Sequence, residues 1–280
     1  MSPAAGIRRV AAYSANCTNF TITEARTAGS KPNRYMRNLP NIITLLNLLA
    51  GSIAAVFAVL DRLEWAAAFF MLGVICDFLD GLVARKLGVS SELGIQLDSL
   101  ADLVTSGLVP GLVMCQLLGM SVSGGWSSNS FFTEALSTGD WPHAWLPFTG
   151  LAITLASAWR LARFNIDEDQ VSSFTGLPTP ANALLILSLP LILLYNGSDA
   201  VSAVLMNPWV LIAVTILSVY LLNAPIRLFA LKFDTWSFRD NGYKYIFLIL
   251  SGVALLTLQF LAVPLIILMY VLFSLFAQPK

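Results

Sequence analysis

Four aspartates, Asp77, Asp80, Asp98 and Asp102, fall within 26 residues of this chain, inside or against runs of apolar residues. Residues three, four and seven apart share one face of a helix. That period sets Asp77, Asp80 and Ala84 on one stripe with Gly81 beside it, and Gly94, Asp98 and Asp102 on a second. The segment between the stripes holds Gly88, Ser90 and Ser91. A turn of about ten residues there predicts antiparallel neighbouring helices whose acidic stripes face each other. Converging carboxylates repel, and with only Arg85 and Lys86 close in sequence they need cations or protons to coexist. All-oxygen ligation suits hard divalent ions, Mg²⁺ or Mn²⁺, with Ca²⁺ also compatible. Two such ions about 3.5 to 4 Å apart would clamp a phosphate for in-line displacement. Gly81 and Gly94 leave room for a ligand or an opposing helix, and Arg85 offers a fork of donors for an anion.

Each aspartate at the centre of a membrane helix costs about 2.5 to 3.5 kcal/mol, against about 0.3 to 0.6 returned by a Leu, Ile or Phe. A functional load is therefore expected of them. Intramembrane acids also serve as proton relays or coupling-ion sites in transporters, and that reading stays open on the acids alone. Four acids accompanied by glycine and arginine, near one membrane face and not at the midplane, lean toward phosphate chemistry.

The elements that position these acids are set by composition. Hydrophobic residues make up 57% of the chain and charged residues 11%, and the mean hydropathy is +0.75. Soluble domains carry about 25% charged residues, so the chain reads as an integral membrane protein. A net charge of zero gives no basic field for nucleic acid, and none is expected as a partner. From Asn41 onward the chain divides into apolar runs of the length that spans a bilayer, about 17 to 25 residues with some shorter runs extended by polar ends. Eight are expected, at 42–60, 65–85, 95–119, 144–164, 180–195, 205–223, 243–258 and 261–277, the last two a tight hairpin near Pro264. The expected fold is an all-α polytopic membrane bundle. All but Arg62 of the 16 Lys and Arg residues then fall on one side, the tail, the 85–86 turn, Arg160 and Arg163, the 227–244 segment and Lys280. The positive-inside rule makes that side cytoplasmic, with both termini and the acids on it.

Residues 1–36 are polar, lack the apolar stretch of a secretory signal and read as a disordered cytoplasmic tail. The loop at 120–143 carries no Lys or Arg and is rich in Ser and Gly; with Trp126, Trp141 and Trp145 beside it, it reads as an outer loop lying along the membrane surface. His143, the only histidine, lies opposite the aspartates, which argues against histidine acid–base chemistry. Cys17, Cys76 and Cys115 have no CxxC spacing and make neither a disulfide framework nor a zinc site.

The pattern Asp77-x-x-Asp80-Gly81-x-x-Ala84-Arg85, eight residues, Gly94-x-x-x-Asp98-x-x-x-Asp102 resembles the signature of the CDP-alcohol phosphotransferases. NLPNIITLLNLLAGSIA before it, LDSLADLVTSGLVPG across its end, RLARFN at 160–165, GLPTPANA at 176–183 and APIRLFALKF at 224–233 look like the bacterial membrane-embedded phosphatidylserine synthases, with Trp159 and Asn182 as departures. The resemblance covers about 36 to 235 and implies a six-helix core at 37–235, followed by a C-terminal transmembrane hairpin at 236–280. It further implies two divalent cations held by Asp77, Asp80, Asp98 and Asp102, with Asp102 the general base, and contacts from Gly81, Ala84, Arg85 and Gly94 to the CDP moiety. The implied reaction transfers a phosphatidyl group from CDP-diacylglycerol to the hydroxyl of L-serine and releases CMP, in the inner membrane and in a homodimer. Glycerol phosphate, inositol and choline are alternative acceptors within the family.

Arg160 and Arg163, three residues apart at the cytoplasmic end of the fourth span, fit either interfacial anchoring or binding of the lipid phosphate or the serine carboxylate. The segment from Arg227 to Lys244 interleaves basic and aromatic residues, the composition of an interfacial helix.

Overall fold

The computed structural model describes residues 34–89, 91–125, 145–166, 174–228 and 238–276, with a few isolated positions between 127 and 139. The tail at 1–33, His143, the acidic run at 167–169 and residues 229–237 of the expected interfacial segment from Arg227 to Lys244 lie outside the described residues.

The architecture is helical, as the hydropathy predicts. In chain order the elements are α1 (Arg34–Val59), α2 (Leu63–Leu87), α3 (Glu92–Asp102), a π-helical turn (Leu103–Leu108) and α4 (Val109–Ser123). A 3₁₀ turn (Pro147–Leu151), α5 (Ala152–Ile166), β1 (Phe174–Thr175), α6 (Thr179–Tyr195), α7 (Asp199–Leu205) and α8 (Pro208–Asn223) follow. The chain then runs through β2 (Arg227–Leu228), α9 (Phe238–Leu258), a 3₁₀ turn (Gln259–Leu261) and α10 (Ala262–Phe276). The one sheet among the described residues is the antiparallel pair β1 and β2, Phe174 opposite Leu228 and Thr175 opposite Arg227.

All eight expected segments are helical over most of their length. By length and composition four stretches can cross a membrane, Asn38–Val59, Leu63–Leu87, Glu92–Ser123 and Lys244–Leu275, and the pair α7 and α8, bent by 61°, makes a fifth. The Lys244–Leu275 stretch doubles back on itself. The Phe247 ring lies 5.9 Å from that of Tyr270 and 6.2 Å from that of Phe273, whereas 23 residues of straight helix would separate them by about 35 Å. The reversal falls at Gln259, whose φ is +51°, a few residues before the expected position at Pro264. Pro264 itself sits inside α10.

The stretch from α3 through α4 holds the most deeply buried apolar segment: 78% of an 18-residue window of it is buried, against 22 to 33% of such a window in the other long stretches. Phe70, Leu117, Leu118, Ile153, Ile186 and Leu211 fill the core around it. Outward residues such as Leu155, Trp209 and Leu256 stay exposed, as lipid-facing positions do. Small residues bring the helices close. A Cβ on Gly73 would lie 2.7 Å from Cγ2 of Thr105, and one on Gly51 would overlap the Thr105 hydroxyl. Pro110, second in α4, has no N–H to continue an i→i−4 ladder, and the backbone there widens to the π register, with Val109 N–H donating to Val104. Thr154 of α5 donates to the Gly107 carbonyl at 3.1 Å within that turn.

At the end of the bundle away from the acids, Asp61 accepts from the Ser127 hydroxyl at 2.8 Å and from the Ser128 hydroxyl and amide at 2.8 and 3.1 Å. The same Ser128 hydroxyl, with its single proton, also lies against the Gln116 side-chain oxygen, and the Gln116 amide donates to the Ala58 and Val59 carbonyls. The start of the loop after α4 is thereby tied to the α1–α2 corner.

Candidate functional site

The reversal between the two acidic helices is tighter than the expected ten residues. α2 runs to Leu87 and α3 begins at Glu92. Gly88 ends α2 in the left-handed region at φ +61°, with its amide returning to the carbonyls of Ala84 and Arg85. Ser91 starts α3 as its N-cap, accepting from the Gly94 amide at 3.0 Å. Both helices therefore gain a turn, and the antiparallel arrangement follows.

Three of the four aspartates converge. Asp77 of α2 and Asp98 and Asp102 of α3 each present a carboxylate oxygen, and the three oxygens lie within 4.8 Å of one another. Two unit charges at that separation repel by about 3.5 kcal/mol at an effective dielectric near 20, so three anions need a counter-charge between them. The donor set is all carboxylate oxygen, which fits a hard divalent cation and not a soft one.

Asp80 is buried one turn along α2 and is not one of the converging three. Its Oδ2 accepts from the Thr44 hydroxyl of α1 at 2.5 Å. Asp102 receives the side-chain amide of Asn47 at 3.5 Å, and Asn47 Oδ1 accepts from the Thr105 hydroxyl at 2.8 Å, with the Asn47 backbone carbonyl 3.3 Å from the same hydroxyl. Thr44 and Asn47 did not enter the expected site. Their signal in the sequence is a run of polar residues at 41, 44 and 47, three apart, in an otherwise apolar helix.

The remaining expected residues divide. Arg85 is exposed and reaches back along α2 so that its Nη1 would be 3.6 Å from a Cβ on Gly81. Gly81 thus leaves open the strip the guanidinium lies over. Ala84 is half-buried on the same helix. Gly94 faces α1, where a Cβ would meet the Asn41 side-chain oxygen at 3.0 Å. Arg160 of α5 is within electrostatic reach of Asp102, and its Nε is buried without a hydrogen-bond partner. Arg163 is elsewhere: with Trp159, Ala162 and Ile166 it lines a cavity of about 470 Å³ on the outer side of α5. Two residues on, Asn165 exchanges hydrogen bonds of 2.9 and 3.1 Å with Ser99, tying the end of α5 to the acidic helix α3. Cys76 and Cys115 are free thiols.

Known proteins share this arrangement of sequence. The family described as CDP-alcohol phosphatidyltransferase matches residues 37–220. The CDP-diacylglycerol–serine O-phosphatidyltransferase of Bacillus subtilis (strain 168) is 32% identical over 159 residues, 55% of this chain and 76% of that protein. A protein of the same name from Mycobacterium tuberculosis (strain ATCC 25618 / H37Rv) is 32% identical over 158 residues, 54% of this chain and 48% of its own length. The archaetidylserine synthase of Methanothermobacter thermautotrophicus is 28% identical over 189 residues, 67% of this chain and 69% of the relative. The chain thus spans about three quarters of the Bacillus protein and about half of the mycobacterial one. With both acidic helices and the α1 polar stripe inside the matched region, the chain belongs to the CDP-alcohol phosphatidyltransferase family.

Proposed function

We propose that this chain is a CDP-diacylglycerol–serine O-phosphatidyltransferase, transferring a phosphatidyl group to the hydroxyl of L-serine with release of CMP. The observation that carries the reading is the convergence of Asp77, Asp98 and Asp102 from two antiparallel membrane helices, in a chain whose relatives bear that name at about a third identity. Asp77, Asp80, Asp98 and Asp102 would hold two divalent cations, Mg²⁺ or Mn²⁺ with Ca²⁺ also compatible. Bound there, such ions supply positive charge against the phosphate oxygens and lower the cost of charge developing in transfer.

The chain's own groups account for the rest. Gly81, Ala84, Arg85 and Gly94 would contact the CDP moiety, Arg85 offering its donor fork to the phosphates. Asp102, held by Asn47, takes the hydroxyl proton of serine; the serine oxygen bonds to the phosphorus bearing diacylglycerol, and the bond from that phosphorus to CMP breaks. Arg160, within electrostatic reach of Asp102, would bind the serine carboxylate or the lipid phosphate. The site and both termini face the cytoplasm in this reading, supported by the one-sided distribution of Lys and Arg. The working unit is a homodimer, as the family resemblance implies.

Purified protein incubated with CDP-diacylglycerol, Mg²⁺ or Mn²⁺ and serine, glycerol phosphate, inositol or choline in turn tests the reading. CMP release that depends on serine and yields phosphatidylserine is expected. CMP release driven equally by another alcohol rejects serine as the acceptor, and substrate flux across liposomes without CMP rejects the transferase.

A further inference from the structure

We infer that Thr44 and Asn47 of α1 are positioning residues for the acidic site, Thr44 fixing Asp80 and Asn47 fixing Asp102. The inference rests on the metal-site reading above and deepens it. Both side chains are almost wholly buried, at 4% and 0% exposure. A polar group at that depth is retained at low cost only if it is hydrogen-bonded, and the partners here are two of the four acids. The Thr44 hydroxyl has a single proton and two acceptors in reach, the Pro40 carbonyl at 3.1 Å and Asp80 Oδ2 at 2.5 Å. The shorter contact, to a carboxylate, takes the proton.

Asn47 is aimed by a third residue. The Thr105 hydroxyl has two acceptors in reach, Asn47 Oδ1 at 2.8 Å and the Asn47 backbone carbonyl at 3.3 Å, and the shorter contact takes the proton. That fixes the amide so that its NH₂ end, and not its oxygen, faces Asp102. Space around this pair is built for it. A Cβ on Gly73 would lie 2.9 Å from Asn47 Oδ1 and 2.7 Å from Thr105 Cγ2, and one on Gly51 would overlap the Thr105 hydroxyl. Thr105 lies in the π-helical turn three residues past Asp102, so the local widening of the helix is what brings its hydroxyl under Asn47. α1 therefore supplies an outer shell to acids carried by α2 and α3.

Mn²⁺ binding to the detergent-purified full chain, followed by electron paramagnetic resonance of the free ion, tests the inference without relying on turnover. Thr44→Val and Thr105→Val keep side-chain shape and remove one hydroxyl each, and each is expected to weaken Mn²⁺ affinity by about 10- to 100-fold, the usual effect of losing an outer-shell partner. Thr44→Ser keeps the hydroxyl and is expected to bind within about threefold of the unaltered protein. A cooperative thermal transition in EDTA checks that each variant folds, and the Val variants are expected to melt below Thr44→Ser because each leaves a buried acceptor without its donor. Unaltered affinity in Thr44→Val or Thr105→Val, or equal loss in Thr44→Ser and Thr44→Val, overturns the inference. The two arms act on different acids, so either decides if the other variant does not fold. Asp98→Asn separates the levels: Mn²⁺ binding that this change leaves intact overturns the metal reading itself.

Discussion

Gly73→Ala probes the packing that underlies the site. The added methyl would stand 2.7 Å from Thr105 Cγ2 and 2.9 Å from Asn47 Oδ1. Carbon–carbon contacts settle at about 3.5 to 4.0 Å, so the neighbours must yield by about 1 Å. Thr105 is buried in the π-helical turn and Asn47 is fully enclosed, so neither has free space to move into. Overpacking of this kind costs about 1 to 3 kcal/mol. The displaced pair is also the one that holds Asp102, so catalysis is expected to fall along with stability. The control is Gly252→Ala in α9, where nothing lies within 4 Å of the added Cβ. There the substitution relieves helical glycine and leaves the protein as stable or up to about 1 kcal/mol more stable. Reversible unfolding in mixed micelles measures both variants against the unaltered chain. If Gly73→Ala unfolds like Gly252→Ala, the close approach of α1, α2 and the π turn is wrong.

Two further outcomes are expected. Asp98→Asn removes a charged oxygen from the converging three and should lower CMP release by more than the roughly hundredfold upper range of outer-shell losses; ordinary CMP release by the purified variant refutes the ligand role. Arg160→Lys should raise the KM for serine about tenfold or more, the value of one lost charge-assisted hydrogen bond, while Arg163→Lys leaves it unchanged because Arg163 is exposed and lines the cavity beside Trp159 and Ile166. Equal effects of the two substitutions contradict the placement of α5.

The acidic helices were legible because their information is local. A period of three and four residues with a glycine and two serines between is enough to pair Asp77 with Asp98 and Asp102. The all-helical membrane class was equally legible, since it follows from composition. What escaped is set by the rotation of one helix against another. Thr44 and Asn47 read as ordinary polar residues of an apolar span until α1 is packed against α2, and only then does Asp80 separate from the other three acids. Arg160 and Arg163 share a nominal helix face, yet one lies within electrostatic reach of Asp102 and the other lines the cavity beside Trp159 and Ile166. The hairpin's existence was visible in its two apolar runs, but its corner falls at Gln259, whose left-handed backbone no residue type advertised.

The central claim is that the converging acids serve phosphatidyl transfer to serine, and the most direct measurement is the lipid product itself. Purified protein given CDP-diacylglycerol, Mg²⁺ or Mn²⁺ and isotopically labelled serine is predicted to form labelled phosphatidylserine and CMP in equal amounts, with both lost on chelation of the metal. Unlabelled lipid product, or CMP released at the same rate without serine, would contradict the account.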